Sequence, residues 1–257
     1  MSGSRGQHYQ RVILELGQGD ADPDTIRFVA EFARELGLDL HGLFVEDESL
    51  LNLAALPFAR EIRLPTHQWQ PIDADRMADE LRHAADAARL RLQQVVAALG
   101  VRSRFEVVRG DPHLCVAGLC FPTDIVVVTE TMTAPAMRSA AESSPASVLL
   151  LPKRATYRHG PVVAVTAQLD DPGLDLAEHI AHAQHAPLVI LHPAAAAGER
   201  RGADLFGMAD LSATSVLRTL APLRERLVIV TRGAARELPM ADVSQIVTTR
   251  HDAVLLL

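Results

Sequence analysis

The stretch Asp124–Leu151 (DIVVVTETMTAPAMRSAAESSPASVLLL) sets an apolar strand before a turn of the kind that often does chemistry. At the carboxyl end of a parallel strand, a glycine-bearing turn lets backbone N–H groups close on a phosphate. Here the turn reads Thr129-Glu130-Thr131-Met132, and no glycine follows until Gly160. Side chains resist the positive-φ turns that glycine permits, and Glu130 repels a triphosphate. Ser139, Ser143, Ser144 and Ser147 crowd the next segment. They either donate to a small anion in place of the missing amides or simply end a helix.

Other reactive residues are scattered. His179, His182, His185 and His192 surround one helix. A metal needs three or four convergent ligands, and only His179 and His182 fall on adjacent turns, so a polar surface face is expected. Cys115 and Cys120 are five apart, which puts them on different helix faces; two free buried thiols are expected rather than a redox pair. Asp20 and Asp22, and Asp170 and Asp171, precede helices, where an acid caps free N–H groups. No nucleophile elbow, Walker loop or Rossmann glycine fingerprint is present. No metal site and no catalytic residue is expected.

These residues must be positioned by strands and helices, and the chain repeats itself in supplying them. RVILELGQGDADPDTIRFVAEFARELGLDLHGLFVED starts at Arg11, and PVVAVTAQLDDPGLDLAEHIAHAQHAPLVILHP starts at Pro161. Each runs apolar strand, Asp-rich turn with an Asp-Pro pair, amphipathic helix, apolar strand. Asp before Pro is a helix-start signal. Ile26, Val29, Ala33 and Leu36 share one face of the first helix; Leu176, Ile180 and Ala183 share one face of the second. The segment from Asp124 rhymes with RLVIVTRGAARELPMADVSQIVTTRHDAVLLL from Arg226. The repeat offset falls from about 150 residues at the start of each half to about 102 at the end, so the second half lacks roughly 48 residues of its middle. In the first half that middle holds the apolar segment Glu48–Ile62, a loop with Pro65, Trp69 and Pro71, and a long helix over Asp73–Leu99. That helix carries an apolar stripe of Met77, Leu81, Ala84, Ala88, Leu92, Val95 and Leu99, and a strand over Arg104–Arg109 follows. In the second half only an alanine-rich loop and a helix near Ala209–Leu223 are expected.

Near-continuous Val/Ile/Leu strands alternating with helices define an α/β fold with parallel sheets covered on both faces. Two sheets, of about five and four strands, are expected. The boundary falls near Tyr157: residues 1–10 form a frayed N-terminus, 11–156 a first domain and 157–257 a shortened second. A net charge of −7 disfavours a general nucleic-acid or anionic-membrane surface. The longest apolar runs are too short to span a bilayer. Two cysteines imply no disulfide framework, so a cytoplasmic setting is expected.

The first half, Arg11–Lys153, resembles the universal stress protein family. The order strand, Asp-rich turn, helix ending ELG, strand LHGLFVED, insert, long helix and strand ending VVRGDP is similar, as are the closing segments DIVVVTE and SSPASVLLLP. A shorter copy covers Pro161–Leu257. The resemblance implies two doubly wound parallel-sheet domains of adenine nucleotide α-hydrolase-like architecture, the second abbreviated. It implies that the closing strands Ser147–Leu151 and Ala253–Leu257 pair as an internal pseudo-dimer, since an open strand edge invites pairing. The nucleotide-binding branch carries a Gly-x2-Gly-x9-Gly-Ser/Thr loop and an aspartate ending the first strand. This chain has neither; its first strand ends Glu15-Leu16-Gly17 and its later half offers only Gly233 after Arg232. ATP binding through the usual loop is therefore not expected, and neither is a cofactor. An adenosine-like or other uncharged ligand stays open, with Gly17, Val45, Gly110 and Thr129 as its candidate contacts.

The expectation is a non-enzymatic, stress-associated or regulatory protein acting through protein contacts or a small ligand. The alternative is an adenine-nucleotide switch using a non-standard loop near Gly17–Gly19 and Gly110. Leu50, Leu51, Leu53, Leu56 and Phe58 form the densest apolar segment outside the strands. Leu50, Leu53, Leu56 and Phe58 are the candidate partner or homo-oligomer contacts; a lid over the strand ends and a fold-back onto the sheet are the competing readings.

Overall fold

The structure, a computed structural model, describes residues 9–17, 22–63, 67–129, 145–152, 159–196, 198, 200 and 202–257. The glycine-free turn from Glu130, the serines at 139, 143 and 144, Gly19, Asp20, Pro65 and the boundary at Tyr157 lie outside these residues. Strands in the first half are β1 (Arg11–Glu15), β2 (Asp39–Asp47), β3 (Arg60–Arg63), β4 (Gln68–Pro71), β5 (Ser103–Gly110), β6 (Asp124–Thr129) and β7 (Ser147–Leu151). Those of the second are β8 (Val162–Val165), β9 (Leu188–Pro193), β10 (Asp204–Met208), β11 (Leu227–Val230) and β12 (Ala253–Leu256).

Two sheets were expected from the sequence, and one is formed. Its ten strands run β10-β9-β8-β11-β12-β7-β6-β1-β2-β5, with β3 and β4 making a separate antiparallel hairpin. Neighbours are parallel except at the centre, where β7 and β12 pair antiparallel with Leu149 opposite Leu255. The closing strands thus meet as the resemblance implied, and the meeting fuses two five-strand layers. The second half has a fifth strand, β10, within the segment expected to be loop.

The helices are α1 (Pro23–Glu35), α2 (Glu48–Ala54), α3 (Ala74–Leu99), α4 (Pro112–Leu119), α5 (Gly173–Ala183), α6 (Ala213–Leu220), α7 (Arg232–Glu237) and α8 (Met240–Arg250). Asp22 caps α1 by accepting from the Asp24 N–H, with Pro23 at the first helical position. Asp73 caps α3 by accepting from the N–H groups of Asp75 and Arg76, and Gly100 ends it in the left-handed region. The buried stripe of α3 is Leu81, Ala85, Ala88, Leu92 and Val96, one residue round from the expected line at two turns. Alternate strand residues feed two apolar layers, and each layer runs across both halves. One joins Val12, Ile125 and Leu149 to Leu255, Ile229 and Ile190, under α1, α3 and α5. The other joins Val126 and Val148 to Val254, Val228 and Val189, under α6 and α8.

Among the described residues, the second half has no counterpart of α2, β3, β4 and α3. Arg200 lies in the short stretch between β9 and β10. Its guanidinium donates to Glu178 at 2.5 Å, to Asp175, and to the Leu169 carbonyl at 3.4 Å. Tyr9 and Gln10, expected to fray, are held: the Tyr9 hydroxyl lies 2.5 Å from Ser147 Oγ, and the Gln10 N–H donates to the Thr123 carbonyl.

A side-chain pair also crosses the halves. Arg226, with 7% of its side chain exposed, donates to Glu35 at the end of α1 at 2.7 Å and to the Gln184 carbonyl. Removing the guanidinium takes this bond from a carboxylate that is only 19% exposed. Arg226→Ala is expected to lower unfolding free energy by about 2 kcal/mol in urea titration while leaving a single transition. At the amino edge of the first half, Arg11 grips Asp124 through two bonds of 2.9 Å. A further Arg11 nitrogen lies 3.3 Å from His41 Nδ1, so Nδ1 accepts and the ring proton sits on Nε2. Nε2 is 3.3 Å from Glu106, out of hydrogen-bonding alignment. Burial, and then the Arg11 charge, hold the His41 pKa below its usual 6.5 despite Glu106. The unfolded chain therefore takes up the proton first, and this contribution to stability is intact above pH 6.5 and lost as pH falls through it. His41→Gln should flatten that part of the acid limb in pH-dependent thermal melts.

Candidate functional site

In an open α/β sheet, ligands bind beyond the carboxyl ends of the strands, where the winding reverses. Here the reversals fall between β1 and β6 in the first half and between β8 and β11 in the second.

In the first half the four residues read from sequence do share one edge. Gly17 follows β1, Val45 is buried near the end of β2, Gly110 ends β5 and Thr129 ends β6. Gly17 and Thr129 flank the reversal; Val45 and Gly110 sit on the two strands beyond it. The charge there is acidic. Glu15 ends β1, Asp47 ends β2 with Glu48 next to it, and Asp111 follows β5. Arg109 is occupied by Glu46, bonded at 2.9 and 3.1 Å. Cys115 registers the field: burial raises its thiol pKa, and Asp111, Glu15 and Glu48 raise it further. Gly110 has a structural reason to be glycine. Its φ is +153°, and a Cβ there would come within 2.7 Å of the Cys115 sulfur.

In the second half the reversal is filled from within. Thr166 and Thr231, both fully buried, follow β8 and β11. The Thr231 hydroxyl donates to Thr166 Oγ1 at 3.2 Å, and Thr166 donates to the Gln168 carbonyl at 2.7 Å. Thr231 stands at the N-cap of α7 but turns its oxygen away from that helix. Asp171 supplies the missing acceptor. One carboxylate oxygen takes the Gly173 N–H at 2.8 Å, and the other takes the Gly233 N–H at 3.3 Å. A carboxylate from the turn after β8 thus lies at the N-terminus of α7, where an anion would otherwise be attracted. A Cβ at Gly233 would approach this carboxylate within 2.8 Å and push it aside. Beside it Ala167, Gln168, Leu169, Asp170, Pro193 and Gly198 help to line an open hollow of about 630 Å³. Among the described residues of that lining, Asp170 is the charged one.

Sequence reasoning took Asp171 for a cap on its own helix. Its reach to Gly233, across 62 positions, is a product of the strand order. The remaining candidates fall as follows. His179, His182 and His185 are exposed and His192 is half-buried, bonded to the Pro193 carbonyl. Among the described residues, no three His, Cys, Asp or Glu side chains group to hold a metal. Cys115 and Cys120 are free thiols, the first half-buried and the second buried. Leu50 and Leu51 are half-buried on α2. Leu53, Leu56 and Phe58 are exposed, Phe58 by 75%, close in sequence to the β3–β4 hairpin that exposes Ile62 and Trp69. This segment does not fold wholly back onto the sheet. No helix among the described residues is long and apolar enough to cross a membrane.

No family model and no curated protein matches the chain. Among solved structures it is similar to a functionally unknown protein of Pseudomonas aeruginosa PAO1. That likeness covers 98% of this chain and 93% of the other at 13% identity, with a TM-score of 0.61, and it shows a shared fold over both halves. As the sequence suggested, universal stress protein structures are also among the similar chains. One is from Lactobacillus plantarum (19% identity, 56% of this chain, 97% of that chain, TM-score 0.39). Another is from Archaeoglobus fulgidus, in complex with dAMP (14% identity, 55% and 97%, TM-score 0.37). The fold defines the class as a tandem, doubly wound α/β chain.

Asp171 holds two helix-start amides at once. Asp171→Ala is expected to lose about 1–2 kcal/mol of stability, more than an ordinary exposed acid, as measured by chemical denaturation. An unchanged midpoint would show that neither bond contributes.

Proposed function

We propose that the protein is a non-catalytic, stress-associated or regulatory module that works through protein contacts, with triphosphate binding lost from both carboxyl edges. The observation that carries this reading is the Asp171 carboxylate seated on the Gly233 N–H at the second reversal. An arriving phosphate would have to displace a covalently tethered anion and then lie beside it. At the first reversal, Glu15, Asp47, Glu48 and Asp111 set the same sign of charge. The sequence adds Glu130 with no glycine behind it. Among the described residues, the Gly233 amide is taken by Asp171 and the Arg109 guanidinium by Glu46, and a triphosphate needs aligned amides and uncommitted cations, which supports this reading. A nucleotide switch built on Gly110 draws no support from the geometry, because Cys115 already accounts for that glycine.

For protein contacts, the exposed apolar surface of Leu53, Leu56, Phe58, Ile62 and Trp69 supports the reading. No cofactor and no nucleic acid enters this proposal, and the setting is the cytoplasm.

Calorimetry with ATP, AMP and adenosine tests it. ATP should show no saturable heat below ~1 mM, and adenosine should bind no more weakly than ATP. Micromolar ATP binding that is tighter than adenosine would overturn it. The paired substitution Phe58→Ser and Trp69→Ser should change stability by less than about 0.5 kcal/mol, because both rings already face water. A larger loss in a thermal melt would mean that these rings support the fold instead of a partner.

A further inference from the structure

The two outer edges of the ten-stranded sheet differ in kind. β5 closes one end with a charged rim: Arg102 pairs with Asp39, Arg104 with Glu106, and Arg109 with Glu46. Charges along an edge block strand addition. β10 closes the other end with Asp204-Leu205-Phe206-Gly207-Met208, and its first four residues are exposed. Leu205 is 37% exposed and Phe206 43%. Among the described residues no strand pairs with the outer side of β10. In the first half α3 packs on β2 and β5; among the described residues of the second half no helix corresponds to it.

We propose that β10 is a homodimer strand, pairing antiparallel with β10 of a second copy across a twofold axis. The sequence of the strand is self-complementary in that arrangement. With Phe206 on the axis facing its own copy, Leu205 stands opposite Gly207 and Asp204 opposite Met208. Leu205 and Gly207 lie on the face of Ile190 and His192, by their register with β9, and Phe206 lies on the face of Leu191. The glycine leaves room for the opposing leucine. The two Asp204 carboxylates fall at opposite ends, about 14 Å apart, so like charges do not meet. Pairing covers Leu205 and Phe206 and fills a row of free backbone groups. A twofold contact of one edge with itself closes on two subunits, and the charged rim of β5 prevents head-to-tail growth into fibres. The seam between β7 and β12 shows that this backbone accepts antiparallel pairing of two edge strands. This inference is independent of how the carboxyl edges bind ligands.

Sedimentation velocity of the full chain at about 100 μM in ~0.15 M salt should give a species of twice the 27.8 kDa chain mass. Phe206→Lys should return it to one chain mass with unchanged circular dichroism. Phe206→Cys, in a Cys115→Ser background, should form a covalent dimer on mild oxidation, because its sulfurs face each other at the axis. A single-chain species in the unmodified protein overturns the proposal. So does a dimer that survives Phe206→Lys. If Phe206→Lys fails to fold, the cysteine variant decides: a covalent dimer supports the assignment and its absence refutes it.

Discussion

The antiparallel contact of β7 with β12 is the interaction on which the rest of the molecule depends. Each of these strands is buried on both faces, and each would be a sheet edge without the other. An uncovered edge of four consecutive aliphatic residues is an aggregation template. Joined, the two edges vanish into the middle of one sheet, and the apolar layers above and below become continuous. The Arg226–Glu35 pair then crosses the same junction at its side-chain level. The shortened second half gains a neighbour that compensates for the helix it lacks, and Arg200 secures the remaining loop.

That arrangement also sets which side chains meet at the carboxyl edges. Strand order, not local sequence, brings Asp171 to the start of α7 and Thr166 to Thr231. The same order gathers Glu15, Asp47, Glu48 and Asp111 at one end of the first half. The proposed loss of phosphate binding rests on this placement: the Gly233 amide is committed to an internal carboxylate, and the described residues of the first edge include four acids.

Much of this was legible in the sequence where local physics governs. The doubly buried strands β1, β6, β7, β8, β11 and β12 are unbroken aliphatic runs, and α1 and α3 announce their starts through Asp22 and Asp73. The repeat offset located the missing middle of the second half. What escaped was set by distant partners. β10 was unread because an edge strand with four exposed residues has no buried pattern to see. The β3–β4 hairpin was hidden in a loop reading because Gln68, Trp69 and Gln70 carry no apolar alternation. The closing strands were expected to pair, but their register, with Leu149 opposite Leu255, is written in neither strand alone. The bond from Asp171 to Gly233 likewise joins two motifs that were each read in isolation.

The central claim is that the two halves share one core and open as one body. Native-state hydrogen exchange resolved to single amides is the most direct measurement of it. The account predicts that Leu149 and Leu255 at the seam, Val126 in the first half and Val228 in the second exchange through the same global opening, with equal free energies and equal denaturant dependence. Earlier exchange of β8, β11 and β12 as a group, with the first half still protected, would show two separately folding domains and contradict it.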